Sequence, residues 1–139
     1  MSVTIPADYQ DLLTGPIFVS LATVMPNGQP QVNVMWCGFD GEHVLINTAK
    51  GRQKERNMAA RPMATVLAVD PENAFRWLEI RGTVVEITEE GAVEHITSLA
   101  HTYAGQDYYG GVQTAEQAEK ETRVICKIEP TRVIAFPNG

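Results

Sequence analysis

Two tight-turn signals divide the N-terminal part of this chain into three strand-like runs, and that division leaves few folds open. Residues 17–24 are almost continuously apolar, Pro26-Asn27-Gly28 turns the chain, residues 31–39 alternate, Asp40-Gly41 turns it again, and residues 43–48 return. A glycine preceded by Asn or Asp supplies the positive φ that short hairpin loops need, so runs joined this way pair antiparallel. Within residues 31–39, Val32, Val34 and Trp36 fall on one face and Gln31, Asn33 and Met35 on the other, which is the period of a strand. The spacing therefore predicts a three-stranded antiparallel meander, with its first strand covered on both faces.

The rest of the chain extends this pattern. Residues 6–13 read as a short opening helix with Leu12 and Leu13 apolar, stopped by Gly15-Pro16. A helix is expected over 51–61, ended by Pro62, followed by a strand over 63–70 and a turn at Asp70-Pro71-Glu72-Asn73. A long strand over 75–87 carries Gly82 inside it, which marks a bulge or a close backbone approach. Thr88-Glu89-Glu90 resembles a helix N-cap, and Ile96, Leu99, Ala100 and Tyr103 follow at helical spacing. Residues 105–111, with Tyr108 and Tyr109, read as a flexible loop, and 114–120 as a polar helix. A strand over 122–128 points Val124, Cys126 and Ile128 inward, Pro130 breaks it, and 132–136 form a last strand. Six or seven strands with hairpin-like connections and two or three helices predict a mainly β fold. Its form is an antiparallel barrel or strongly curled sheet with helices packed outside.

The 139 residues suit one domain over 1–139, and a second chain would help a barrel of this size. A net charge of −6 argues against nucleic acid or an anionic membrane surface as partner. No apolar run approaches the roughly 20 residues that span a bilayer, and the opening Met1-Ser2-Val3-Thr4-Ile5-Pro6 lacks a signal-peptide pattern. Cys37 and Cys126 are far apart in apolar strand contexts, so buried free thiols in a reducing cytoplasm are expected. No ligand spacing for a metal is present.

Against this acidic background one basic cluster stands out. Arg52, Lys54 and Arg56, with Lys50 close by, follow the apolar run Val44-Leu45-Ile46 and open the helix expected after Gly51. Cations at the positive end of a helix dipole are repelled unless an anion sits among them. Exposed N–H groups at a strand-to-helix junction also favour an anion. A phosphate site is the reading adopted here, against that of a solvated basic surface. Around it there is no nucleophile motif, no phosphate-loop signature and no dinucleotide fingerprint. His43, His95 and His101 are scattered, Glu79 and Arg81 suit an ion pair, and Trp36 and Trp77 suit core or interface positions. A site rich in anion ligands but poor in acids, bases and nucleophiles suits a protein whose cofactor performs the reaction.

The chain resembles the split β-barrel flavoprotein superfamily that includes pyridoxamine 5′-phosphate oxidase. Within it, the similarity is to the flavin/deazaflavin oxidoreductases that use coenzyme F420. Four stretches carry the likeness in order: Ile17-Phe18-Val19-Ser20-Leu21-Ala22-Thr23 with Gly28-Gln29-Pro30-Gln31-Val32; Phe39-Asp40-Gly41-Glu42 leading to Asn47-Thr48; Gly51-Arg52-Gln53-Lys54-Glu55-Arg56-Asn57-Met58 up to Arg61-Pro62; and Asp70-Pro71 with Arg76-Trp77-Leu78-Glu79-Ile80-Arg81-Gly82. The chain departs from the family's habit of an acidic residue before the helix-ending proline, having Ala59-Ala60-Arg61-Pro62.

The resemblance implies an FMN-binding split barrel of six or seven antiparallel strands, a cytoplasmic homodimer with cofactor sites at the subunit interface, and a small-molecule substrate. Arg52 and Lys54 match phosphate-binding positions, with Gly51, Arg56 and Asn57 in the same motif, and Thr48 matches a residue beside the phosphate or ribityl chain. Gln31, Asn33, Val34 and Met35 match the strand along the ring, and the second subunit would contribute from around Trp77. The implied reaction is hydride transfer between deazaflavin coenzyme F420 and a small unsaturated or conjugated organic molecule. Vitamin B6 oxidation is disfavoured by the short chain. An FMN-dependent enzyme of the same fold, or a non-catalytic flavin- or haem-binding protein, are the alternatives. Haem would want an axial His, Cys, Met or Tyr, and none of the histidines is compellingly placed for that role.

Overall fold

The computed structural model describes residues 2–106 and 114–137. A 3-10 turn at Ala7–Tyr9 and a short α1 at Asp11–Thr14 precede four strands: β1 (Val19–Val24), β2 (Pro30–Met35), β3 (Gly38–Phe39) and β4 (Val44–Ala49). Then come α2 (Gln53–Ala60), β5 (Met63–Asp70), β6 (Asn73–Thr88), α3 (Ala92–Ala104), α4 (Ala115–Lys120) and β7 (Arg123–Phe136). Tyr108 and Tyr109 lie outside the described residues.

All seven strands join one antiparallel sheet in the order β2-β1-β5-β6-β7-β4-β3. Its two edge strands, β2 and β3, are consecutive in the chain, with only Trp36 and Cys37 between them. Laid flat at about 4.8 Å per strand, the edges of such a sheet would stand about 29 Å apart. Three residues of extended chain reach about 11 Å. The sheet must therefore curl until its edges meet, which gives a split barrel with its seam between β2 and β3. Tyr103, reaching down from α3, fastens the corner between β2 and β3 to the entry of β1. Its hydroxyl donates to Ile17 O at 2.8 Å and accepts from Cys37 N at 3.2 Å.

The expected meander is corrected by this topology. The β1–β2 hairpin forms, with Val24 opposite Pro30. The run expected over 31–39, however, breaks at Trp36-Cys37, and β4 pairs with β7 and β3 rather than with β2. Gly38 permits the departure, because a Cβ there would lie 2.8 Å from His95 Nε2. Nor is β1 covered on both faces. Val19 and Leu21 are buried toward the barrel interior, whereas Ser20, Ala22 and Val24 are only half-buried. On β2 the apolar residues are the outward ones, with Val32 61% and Val34 68% exposed.

Pro130 does not break the last strand. β7 runs unbroken through it, with Pro130 opposite Gly82 at a register shift. A bulge is where a ladder does not need the N–H that proline lacks. The same pairing explains Gly82, since a Cβ there would stand 2.5 Å from Glu129 O. The helix expected to be capped by Thr88 begins at Gly91 instead, with φ of 75°, while Thr88 Oγ1 accepts from Glu90 N in a local turn.

The barrel interior is filled by alternate residues of every long strand, among them Leu21, Ile46, Val66, Leu78, Ile80 and Ile128. Leu12 and Leu13 of α1 and Met58 of α2 pack onto that core, all with no exposed surface. Each such side chain contributes about 1.5–3 kcal/mol of burial. Cys37 and Cys126 are free and buried in it, as expected. Outside the barrel, Ile96, Leu99 and Ala100 of α3 meet Ala118 of α4, with Trp36 and Tyr103 against them.

Candidate functional site

The chain leaves β4 through a turn at Gly51, whose φ of 94° only glycine adopts without strain, and enters α2 at Gln53. Arg52 stands at the N-cap without a side-chain cap bond. Glu55 in the first turn accepts from Gly51 N at 2.8 Å. One carboxylate of the protein thus meets a donor at this junction and balances the helix dipole. The cations that follow are arranged around a neighbouring cleft of about 300 Å³.

One side of that cleft is polar. Thr48 on β4, Arg52 and Lys54 at the start of α2, and Arg123 at the start of β7 line it together with Asn47. Arg123 arrives through strand register, being paired with Ala49. It is almost wholly buried, donating from Nε to Asn47 Oδ1 at 2.9 Å and from Nη1 to Glu121 Oε2 at 2.9 Å. Arg52 Nη2 donates to the other oxygen of Glu121 at 2.6 Å. Lys54 is half-buried and has no acidic partner among the described residues. Burial first, then the charges of Arg52 and Arg123, pull its pKa below the ordinary lysine value. Thr48 Oγ1 is buried and has no hydrogen-bond partner. A buried unpartnered hydroxyl costs about 1–3 kcal/mol, so three cations beside one unmet hydroxyl fit an anionic ligand.

The opposite side is apolar: Phe18, Val34, Met35, Trp36 and Ile96. Trp36 stacks on Tyr103 with centroids 5.2 Å apart, and Phe18 meets Tyr103 edge-on at 5.5 Å. The wall is therefore rigid and aromatic, matched to a flat, weakly polar group. Beneath it, Asn47 Nδ2 donates to Ala92 O at 2.8 Å and lies 3.1 Å from His95 Nδ1. Burial, and secondarily Arg123, lowers the pKa of His95 below the ordinary histidine value.

Of the residues singled out from the sequence, the structure brings Thr48, Arg52, Lys54, Val34 and Met35 together in this cleft, with Gly51 forming the turn below. Gln31 and Asn57 go elsewhere. Asn57 has no exposed surface and donates to Thr23 Oγ1 at 3.0 Å and to Gln31 Oε1 at 3.2 Å, while accepting from Gln53 Nε2 at 2.7 Å. Its amide is spent anchoring α2 to the β1–β2 hairpin. Arg56 is exposed and bonds Gln53. Asn33 is half-buried opposite Leu21 and does not line the cleft. Trp77 stacks on Phe136 with centroids 5.5 Å apart and borders a separate apolar depression with Val32, Leu67 and Val69. The expected Glu79–Arg81 ion pair forms at 2.7 Å.

Arg123, Asn47, Phe18, Trp36 and Ile96 were not among the expected ligands. Arg123 is the consequential omission, and no local spacing marks it. Only the β4–β7 register carries it to Thr48. No metal-binding group of His, Cys, Asp and Glu exists among the described residues, and none of their helices is long and apolar enough to cross a membrane.

Comparison with known proteins gives a family match over residues 5–136 to a model described as Pyridoxamine 5′-phosphate oxidase. A solved structure named F420 Reductase is 35% identical, with a TM-score of 0.78, covering 94% of this chain and 98% of that one. A conserved hypothetical protein from Mycobacterium tuberculosis is 26% identical with a TM-score of 0.72, covering 96% of this chain and 85% of that one. The pyridoxine/pyridoxamine 5′-phosphate oxidase of Rhodopseudomonas palustris (strain BisB5) is 33% identical over 87 residues, 62% of this chain. That match spans only 41% of the relative's length.

Proposed function

The chain belongs to the pyridoxamine 5′-phosphate oxidase family of oxidoreductases, and from that premise we propose that it transfers a hydride between the deazaflavin coenzyme F420 and a small unsaturated or conjugated organic substrate. The observation that carries this reading is the meeting of Arg52, Lys54 and Arg123 around the unpartnered Thr48 hydroxyl, opposite an aromatic wall. Likeness to a protein named F420 Reductase over nearly its full length supports the deazaflavin over other cofactors.

In this reading Arg52, Lys54 and Arg123 hold the cofactor's anionic arm, and Thr48 donates its hydroxyl hydrogen to the same group. Val34, Met35, Trp36 and Phe18 flank the ring and keep water from it. The bound deazaflavin supplies the hydride chemistry. No side chain of the cleft is an obvious acid or base, so the chain's contribution is binding, orientation and exclusion of water.

The outer face of β1 and β2 supports a homodimer. Just before β1 Phe18 is 57% exposed, and on β2 Val32 is 61% and Val34 68% exposed; exposed apolar side chains grouped in this way mark association surfaces. Phe18 and Val34 border the cleft as well, so a second copy seated there would complete the cofactor site, with Trp77 available to its partner. Two buried free thiols agree with a cytoplasmic setting. A second reading, FMN in place of F420, is favoured by the likeness to pyridoxine/pyridoxamine 5′-phosphate oxidases, since the same cations suffice for a terminal phosphate.

Titration of the purified protein with F420 and with FMN, followed by fluorescence, separates these readings. Micromolar binding of F420 with reduction of a conjugated acceptor is the expected result. FMN binding alone would transfer the assignment to the flavin, and tight binding without turnover on any acceptor would leave a carrier rather than an enzyme.

A further inference from the structure

Glu121 does not line the cleft, yet it is bonded to two of the arginines that do, which the proposed binding of an anion does not explain. It follows α4 directly and stands two residues before Arg123. Its carboxylate is divided between the two guanidiniums of the cleft, Oε1 accepting from Arg52 at 2.6 Å and Oε2 from Arg123 at 2.9 Å. The Glu121 side chain is 17% exposed and that of Arg123 is 6% exposed, so on that side little water screens the pair. Three cations line the cleft and one carboxylate is bonded to two of them, where three cations alone would attract a ligand more strongly. A carboxylate beside phosphate-binding cations is a handicap for affinity, and the handicap grows with the charge of the arriving anion.

Resting on the reading of this cleft as the seat of an anionic cofactor arm, we propose that Glu121 is a charge-selecting residue. It shares Arg52 and Arg123 with the incoming group and penalises each negative charge that group carries, so it narrows the advantage that three cations would otherwise give a phosphomonoester over a phosphodiester. A diester carries a single charge, and a monoester carries about −1.5 to −2 at neutral pH. Repulsion from Glu121 counts once against the first and nearly twice against the second. Arg123 retains its place without it, because Asn47 Oδ1 holds Arg123 Nε independently.

The test compares wild type with Glu121→Gln, which keeps an acceptor oxygen, and Glu121→Asp, which keeps the charge. Dimethyl phosphate and methyl phosphate serve as singly and doubly charged probes, with dissociation constants measured by calorimetry or by NMR titration. Glu121→Gln should tighten methyl phosphate by about tenfold and dimethyl phosphate by only about threefold, from one repulsive charge pair at partial burial. Glu121→Asp should keep the wild-type ratio, and because it retains the ion pair it serves if the glutamine variant does not fold. Equal changes for both probes, weaker binding of both, a shifted ratio in the aspartate variant, or no binding of either probe to any form would overturn the proposal. If the ratio shifts as expected while neither F420 nor FMN binds, charge selection stands and the cofactor reading falls.

Discussion

Lys54→Met is the substitution that separates binding from folding in this cleft. Methionine keeps the unbranched stem and removes the charge. In the unliganded protein the ammonium is half-buried, has no acidic partner among the described residues, and faces Arg52 and Arg123. Its depressed pKa means that the fold opposes its charge, so removing that charge should leave stability unchanged or raise it, by up to about 1 kcal/mol. For a chain of this size that is an increase of about 3–4 °C in Tm. Binding should move the other way. A charge-assisted hydrogen bond to a phosphate contributes about 1.5–3 kcal/mol, so affinity should fall by roughly 10- to 150-fold. Arg52→Ala is the less clean experiment, because Arg52 also bonds Glu121. Thermal melts with and without F420 or FMN read both quantities from one sample. A variant that melts well below wild type without ligand, or that binds the cofactor as tightly, would refute the account of Lys54 as a strained cation awaiting an anion.

Three further outcomes follow from contacts already described. Tyr103→Phe keeps the stacked ring but strands Cys37 N and Ile17 O, and should lower the urea-derived stability by about 1–3 kcal/mol; an unchanged midpoint would mean that the hydroxyl does not hold the β2–β3 corner to the entry of β1. An anionic ligand raises the pKa of Lys54 above its lowered unliganded value. Affinity should thus be full below that unliganded pKa and decline as pH rises through the liganded one, a decline absent in Lys54→Met. Burial pushes both thiols up to about 12, so a thiol reagent at pH 8 should leave the native protein unlabelled and react with two equivalents after denaturation. Fast labelling of the native protein would contradict their burial.

The sequence made the individual strands legible, but their order much less so. Turn chemistry at Asn27-Gly28 correctly paired β1 with β2, and Gly82 correctly announced a bulge. The same reasoning correctly turned the chain at Asp40-Gly41, where β3 pairs with β4, but the second run did not stay whole up to that turn. The break at Trp36-Cys37 depends on Gly38 accommodating a histidine from α3, more than fifty positions away. Burial on β2 was unreadable for a related reason: alternation tells which residues share a face, not which face meets the core. In the cleft, Thr48, Arg52 and Lys54 were visible because they are neighbours in the chain. Arg123 and Glu121 are joined to them by the β4–β7 register alone, and no window of sequence spans that distance.

The seam between β2 and β3 has one more consequence. Val34, Met35 and Trp36 come from one lip of it and Thr48 from β4 behind the other, so the cleft straddles the unstitched line of the barrel. Widening or narrowing there breaks no rung between strands. The girth of the cavity is thus free to adjust while the long ladders of β5, β6 and β7 stay intact, and a guest lodged across the gap acts as the missing stitch.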